Sequence, residues 1–154
     1  MASVGTEGPI FIVHGHAEAT RHEVARVLQR ATGREVIVLH EQANAGRTIL
    51  EKFEHHAASA AYAVVLLSAD DVGRARLATD LRPRGRQNVI FELGFFFGKL
   101  ERSRVAVLLD SGVEKPSDID GLVYVAHDPA GAWKQGLARE VEAAGIKVDY
   151  SRIP

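Results

Sequence analysis

Between Asn88 and Lys99 the sequence reads NVIFELGFFFGK, and Glu92 is the one polar side chain within that frame. A helix that is apolar on every side is buried in a fold or an interface. A carboxylate inside it is costly unless something pairs with it or uses it. Glu92 falls near the first turn, where the helix dipole favours an anion. Asn88, Phe95, Phe96 and Lys99 share its face by the three- and four-residue spacing of a helix. Two roles are open to such a group. Bonded to backbone or to an arginine such as Arg86, it is structural. Facing a cleft, it is a perturbed carboxylate of the kind that marks functional sites.

Other chemically capable residues stand just after short apolar runs. His14-Gly15-His16 follows Ile10–Val13, His40 to Arg47 follows Val36–Leu39, and Ser68-Ala69-Asp70-Asp71 follows Tyr62–Leu67. Asp110 follows Val105–Leu109, and His127-Asp128 follows Leu122–Ala126. Loop residues are polar wherever they are solvated, so each of these taken singly carries little. His14 and His16 lack a third ligand at fixed spacing, and His55 and His56 diverge on a helix, so no metal site is expected. The stretch Arg74–Arg86 holds Arg74, Arg76, Arg82, Arg84 and Arg86 against one acid, Asp80. It is a solvated loop or a phosphate clamp leading into the Glu92 helix, because guanidinium matches phosphate oxygens in pairs. Neither a P-loop nor a dinucleotide glycine fingerprint is present. The loop HGHAEA is not a flavin phosphate loop, and the acid and lysine set of a phospho-receiver is incomplete.

The elements that must position these residues follow from the apolar pattern. The five runs are rich in β-branched residues and do not alternate with polar ones, which marks strands buried on both faces of a parallel sheet. Helices are expected over Glu18–Ala31, over Thr48–Ala60 with a capping box at Thr48 and Glu51, over Asn88–Leu100 with Asn88 as N-cap, and over Ala132–Ala144 before Gly145. Ser111–Gly121 is loop-like and replaces or shortens the fourth helix. Alternating strands and helices give a doubly wound α/β sheet, here five parallel strands in the flavodoxin-like order 2-1-3-4-5. Ligands of such sheets sit beyond the carboxyl ends of the strands, at the switch point between the first and third. The helix of Glu92 follows the third strand, so its start points to the same edge as His14 and Asp70.

Composition sets the outer limits. The 154 residues carry 19 Lys and Arg against 20 Asp and Glu, a formal charge of −1, and no Cys. Thiol catalysis and Cys-held metal are excluded, and a nucleic-acid binder would need a basic footprint. The longest apolar run, Val89 to Phe97, contains Glu92 and falls far short of the ~20 residues that span a bilayer. Residues 1–9 have no basic start and no apolar core, so they are not expected to be a signal peptide. The expectation is one cytoplasmic domain over residues 10–150, with no membrane or nucleic-acid partner. Residues 1–9 are expected to be a disordered or tag-like start, and residues 151–154 a tail leading to a sensor domain.

Six blocks together carry a resemblance. They are Phe11-Ile-Val-His-Gly-His16, Gly46-Arg-Thr-Ile-Leu-Glu-Lys-Phe-Glu54, Leu66-Leu-Ser-Ala-Asp-Asp-Val-Gly73, Arg86-Gln-Asn-Val-Ile-Phe-Glu-Leu-Gly94, Lys115-Pro-Ser-Asp-Ile-Asp-Gly121 and Gly145-Ile-Lys-Val-Asp149. In this order the chain resembles the bacterial TIR-like, predicted nucleotide-binding domains that act as effectors in STING-linked and Pycsar-type anti-phage defence. The Arg86–Gly94 block is the most specific part. The resemblance implies a TIR fold and NAD⁺ glycohydrolase activity, with Glu92 as catalytic carboxylate and NAD⁺ as substrate rather than cofactor. It implies that residues 41–47 form a loop completing a neighbour's site on self-association, and that a cyclic-nucleotide sensor controls the full-length protein.

One carboxylate suffices for that chemistry. Glycosidases use two carboxyl groups because a leaving oxygen must be protonated. The nicotinamide of NAD⁺ is already a cation and departs as a neutral base, so the remaining task is to stabilise an oxocarbenium-like ribose. Ser68, Asp70 and Asp71 are candidates for the ribose hydroxyls, Arg86 or Arg47 for the pyrophosphate, and His14, Gly15 and Asn88 for the walls of the substrate site. Two other readings remain open: a non-catalytic TIR adaptor that only self-associates, and a nucleoside 2-deoxyribosyltransferase-like enzyme, which also relies on a Glu.

Overall fold

A computed structural model describes residues 7–41, 44–116 and 121–154. Residues 1–6 of the expected tail, Gln42 and Ala43 of the loop after the second strand, and Ser117 to Asp120 of the Lys115–Gly121 block lie outside the described residues.

The central sheet joins β1 (Ile10–Val13), β2 (Val36–Val38), β3 (Tyr62–Leu67), β6 (Val105–Asp110) and β7 (Val123–His127) in the order β2-β1-β3-β6-β7. Every pair in it is parallel. This is the expected 2-1-3-4-5 order. Every residue of β1 and β3 is buried. The continuous apolar runs have a direct cause: alternate side chains enter different cores. Phe11 and Val13 pack on one face with Phe53, Leu93 and Phe96, while Ile10 and Ile12 pack on the other with Val24, Leu28 and Leu137. Helices α1 (Glu18–Thr32) and α4 (Trp133–Ala143) cover the second face, and α2 (Ile49–Ala57) and α3 (Gln87–Leu100) cover the first. The αL conformation of Gly33 ends α1, its amide donating to the Gln29 carbonyl.

Three expectations about the elements need correction. First, Asn88 is not an N-cap. The helix starts at Gln87, and Arg86 holds the extended capping conformation without a side-chain bond. Second, α2 stops at Ala57 instead of Ala60. Ala60 and Ala61 are buried, and the Ala61 amide donates to the Pro9 carbonyl, so the chain must turn early to enter β3. The capping box itself is present: the Glu51 amide donates to Thr48 Oγ1 at 3.2 Å, and the Thr48 amide to Glu51 Oε2 at 2.7 Å. Third, the arginine-rich stretch is not simply a loop. β4 (Asp71–Gly73) and β5 (Arg82–Arg84) form an antiparallel hairpin. Arg84, at the end of β5, lies over Gly73, where a Cβ would come within 2.4 Å of the guanidinium carbon. Arg84 also donates to Glu114 at 3.2 Å. Among the described residues β6 and β7 are joined without a helix, as expected of the 111–121 segment. No helix of the described residues is long and apolar enough to cross a membrane.

Candidate functional site

At the carboxyl end of the sheet, the chain leaving β1 meets the chain leaving β3. The Asp70 carboxylate ties them together: Oδ1 accepts from the His16 amide at 3.2 Å and from Ser68 Oγ at 2.9 Å. Gly15 lets the two segments approach. A Cβ there would lie 2.1 Å from Asp70 Oδ2 and 3.4 Å from Arg86 Cδ. Gly15→Ala is therefore expected to displace the Asp70 clasp and to cost about 1–3 kcal/mol, the usual range for overpacking. Urea unfolding of the variant checks this; an unchanged midpoint would show that the clasp yields freely.

His14 is buried beneath this clasp. Its Nδ1 lies 2.8 Å from the Gly15 carbonyl, which only accepts, so the proton is on Nδ1. Its ring meets that of His40 edge-on, with centroids 5.1 Å apart. Burial is the main cause that holds both imidazoles below their ordinary value; for His40 the charges of Lys52 and Arg86 act the same way. Both rings are accordingly neutral at pH 7.

Beside His40 a cleft of about 710 Å³ opens between α2, α3 and the 3-10 turn Leu39–Glu41. Its walls include His40, Asn44, Lys52, Asn88 and Glu92. Ile49, Leu50 and Phe91 line it as well, and all three are exposed large apolar side chains. A space of this size suits a nucleotide-sized ligand. Glu92 is 3% exposed. Its Oε1 lies 3.8 Å from His40 Nε2, which is too long for a hydrogen bond. Its Oε2 is buried with no hydrogen-bond partner. Burial pushes the carboxyl up to about 7, while the charges of Lys52 and Arg86 pull the other way. Buried polar atoms are normally satisfied, so an orphaned carboxylate oxygen on a cleft wall makes Glu92 a candidate for ligand contact. The structural alternative, a Glu paired to Arg86, is not what the geometry gives: among the described residues no such ion pair forms.

The structure brings together only some of the expected site. Glu92 and Asn88 share the cleft. His14 touches it through His40. Gly15, Ser68 and Asp70 do not line it; they meet in the clasp, and Asp70 opens instead onto a neighbouring depression that it shares with Asp71. Arg86 stands beside Gly15, near enough for its charge to act on Glu92 and His40. Two candidates lie elsewhere. Asp71 is exposed on β4 and lines a separate depression with Val72, Arg84 and Gln87, because the hairpin carries it away. Arg47 is exposed and does not line the cleft; its amide donates to the Asn44 carbonyl. Among the aromatics, Trp133 belongs to the opposite core and packs on His127, so it cannot reach a ligand in this cleft. Among the described residues no group of His, Asp and Glu could hold a metal ion.

Of the wall residues, Lys52 escaped the sequence reading, and His40 was noted only as the polar residue that follows the second strand. The usable signal was on α2, whose buried side includes Phe53 and Ala57; Lys52 stands beside Phe53 and is buried with them. A lysine on the inner face of an amphipathic helix needs a reason.

The family model described as CAP12/Pycsar effector protein, TIR domain, matches residues 9–129, which include the whole cleft. The chain is 44% identical over 143 residues to the uncharacterized protein YuaY of Escherichia coli K12, covering 93% of this chain and 48% of that protein. It is 32% identical over 126 residues to the protein tirC of Dictyostelium discoideum, covering 75% and 62%. It is 38% identical over 81 residues to the Pycsar effector protein BcPycTIR of Burkholderia cepacia, covering 51% and 26%. The chain thus spans less than two thirds of the length of each of these relatives.

Proposed function

The chain belongs to the TIR-domain family of CAP12/Pycsar effector proteins, and from that premise we propose that it cleaves the nicotinamide–ribose bond of NAD⁺, with Glu92 as catalytic carboxylate. The observation that carries the reading is the orphaned Glu92 carboxylate on the wall of a nucleotide-sized cleft. In this account NAD⁺ lies with the nicotinamide ribose against Glu92. The C–N bond breaks with its electron pair going to nicotinamide, which leaves neutral. Positive charge develops on the ribose, and the nearby carboxylate stabilises it. Water is largely excluded from Glu92, so the interaction is worth more than it would be in bulk solvent. A water adds to the anomeric carbon and releases one proton, giving ADP-ribose. No general acid is required, which suits a cleft whose histidine, His40, is held below its ordinary value by burial.

The biological setting we infer is defence against phage by NAD⁺ depletion, triggered in the full-length protein by a cyclic-nucleotide sensor beyond the TIR domain. The exposed apolar lip of Ile49, Leu50 and Phe91 beside the loop at 44–47 suits assembly with another copy. Turnover is accordingly expected to be strongest in the assembled state.

A fluorogenic NAD⁺ analogue, given to the domain and to the assembled full-length protein, tests the reading. The assembled protein should turn it over. Self-association without turnover would identify an adaptor. Base exchange on deoxynucleosides with indifference to NAD⁺ would identify a deoxyribosyltransferase.

A further inference from the structure

Among the described residues that line the cleft, Lys52 is the one fixed cation. It is 7% exposed, although lysine ordinarily keeps its head in water. No described carboxylate lies within 4.0 Å of its ammonium. Glu92 feels its charge, but the two make no ion pair. His40 feels it as well and stays neutral. With Arg86 behind the wall, two cations therefore act on the one carboxylate of the cleft. A site of that balance favours a ligand with more negative than positive charge.

The placement of Lys52 is fixed by its helix. The capping box at Thr48 holds the first turn of α2, and Phe53 anchors the next residue in the core against Phe95 and Phe96. Lys52 therefore leaves a rigid element on the α2 wall, while Glu92 leaves α3 on the other. The two arginines considered from sequence fit a phosphate less well, since neither Arg47 nor Arg86 lines the cleft.

We propose that Lys52 is the diphosphate-binding residue of this cleft, taking the phosphate oxygens of a nucleoside diphosphate whose ribose faces Glu92. The inference rests on the NAD⁺ reading and adds to it a residue that decides substrate class: a nucleoside without phosphates would lose the Lys52 contact and bind weakly.

Calorimetry with ADP-ribose and with adenosine tests this on the whole 154-residue chain. Lys52→Gln is expected to weaken ADP-ribose binding about tenfold or more, as loss of a charge-assisted contact implies, and to leave adenosine unchanged. Lys52→Arg is expected to retain most of the affinity. In turnover the Gln variant should raise KM for NAD⁺ more than it lowers kcat. Lys52→Met, which keeps the apolar stem, serves if the Gln variant does not fold. In addition, wild-type affinity for ADP-ribose must fall with added salt while that for adenosine does not. If folded Lys52→Gln or Lys52→Met binds ADP-ribose as the wild type does, or salt leaves the wild-type affinity unchanged, the assignment is overturned and the NAD⁺ reading stands. If wild-type chain binds neither ADP-ribose nor NAD⁺, the reading itself fails and the assignment falls with it.

Discussion

Glutamine in place of Glu92 is expected to raise the unfolding free energy at pH 8 by about 2–3 kcal/mol, and to change it little at pH 5. The reason is the buried carboxyl, which is pushed from 4.5 up to about 7. The folded chain therefore holds this proton more tightly than the unfolded chain does. The resulting stability is fully present below pH 4.5 and is lost as pH rises through about 7. Above that, the wild type keeps a buried anion with one oxygen unpartnered, whereas glutamine is neutral and nearly the same shape. The figure is an upper range, since the shift converts to about 3 kcal/mol before any relaxation of the cleft. Urea unfolding of both proteins at pH 5 and pH 8 measures it. A variant less stable than wild type at pH 8 would mean that Glu92 serves an ion pair that holds the fold. A gain there is the signature of a group kept at a cost to stability for the sake of function.

The same group should govern the pH dependence of turnover. Only ionised Glu92 stabilises a cationic ribose, so kcat/KM is expected to rise about tenfold per pH unit below pH 7 and to level off above it. His40 faces Glu92 and His14 faces His40, and both are held below 6.5, so neither supplies this limb. Lys52 and Arg86 are the charges that act on Glu92 to keep it from titrating higher. Lys52→Met should accordingly move the limb to higher pH. Initial rates between pH 5.5 and 9 check both statements. A flat profile would remove the carboxylate from the rate-limiting ionisation.

How much of this was legible beforehand depended on whether a signal lay within one element or between several. The strands were readable because both faces of β1 and β3 are buried, leaving uninterrupted runs such as IFIV and YAVVLL. Glu92 was readable because burial cost makes one carboxylate among phenylalanines conspicuous. The β4–β5 hairpin was not, since its three-residue strands are too short for a period and contain Pro83. The end of α2 was misplaced because Ala57 to Ala61 suits a helix locally, and only the pairing of Ala61 with Pro9 stops it. Asp71 and Arg47 sit near the site in sequence, but a hairpin and an exposed turn take them elsewhere. Lys52 needed the tertiary fold: Glu92, on the opposite wall of the cleft, comes from a helix 40 residues later. Each segment marks its own residue, a lysine on the inner face of α2 and a lone carboxylate among phenylalanines, but neither marks that the two face one cleft.

The most direct test of the central claim is nicotinamide release from NAD⁺ by the assembled full-length protein, measured beside its Glu92→Gln variant at pH 8. The account predicts steady release by the wild type and a loss of about a thousandfold in the variant, the scale of removing a main electrostatic stabiliser. Unfolding measurements would show that the variant is still folded. Equal rates in the two proteins would contradict the claim.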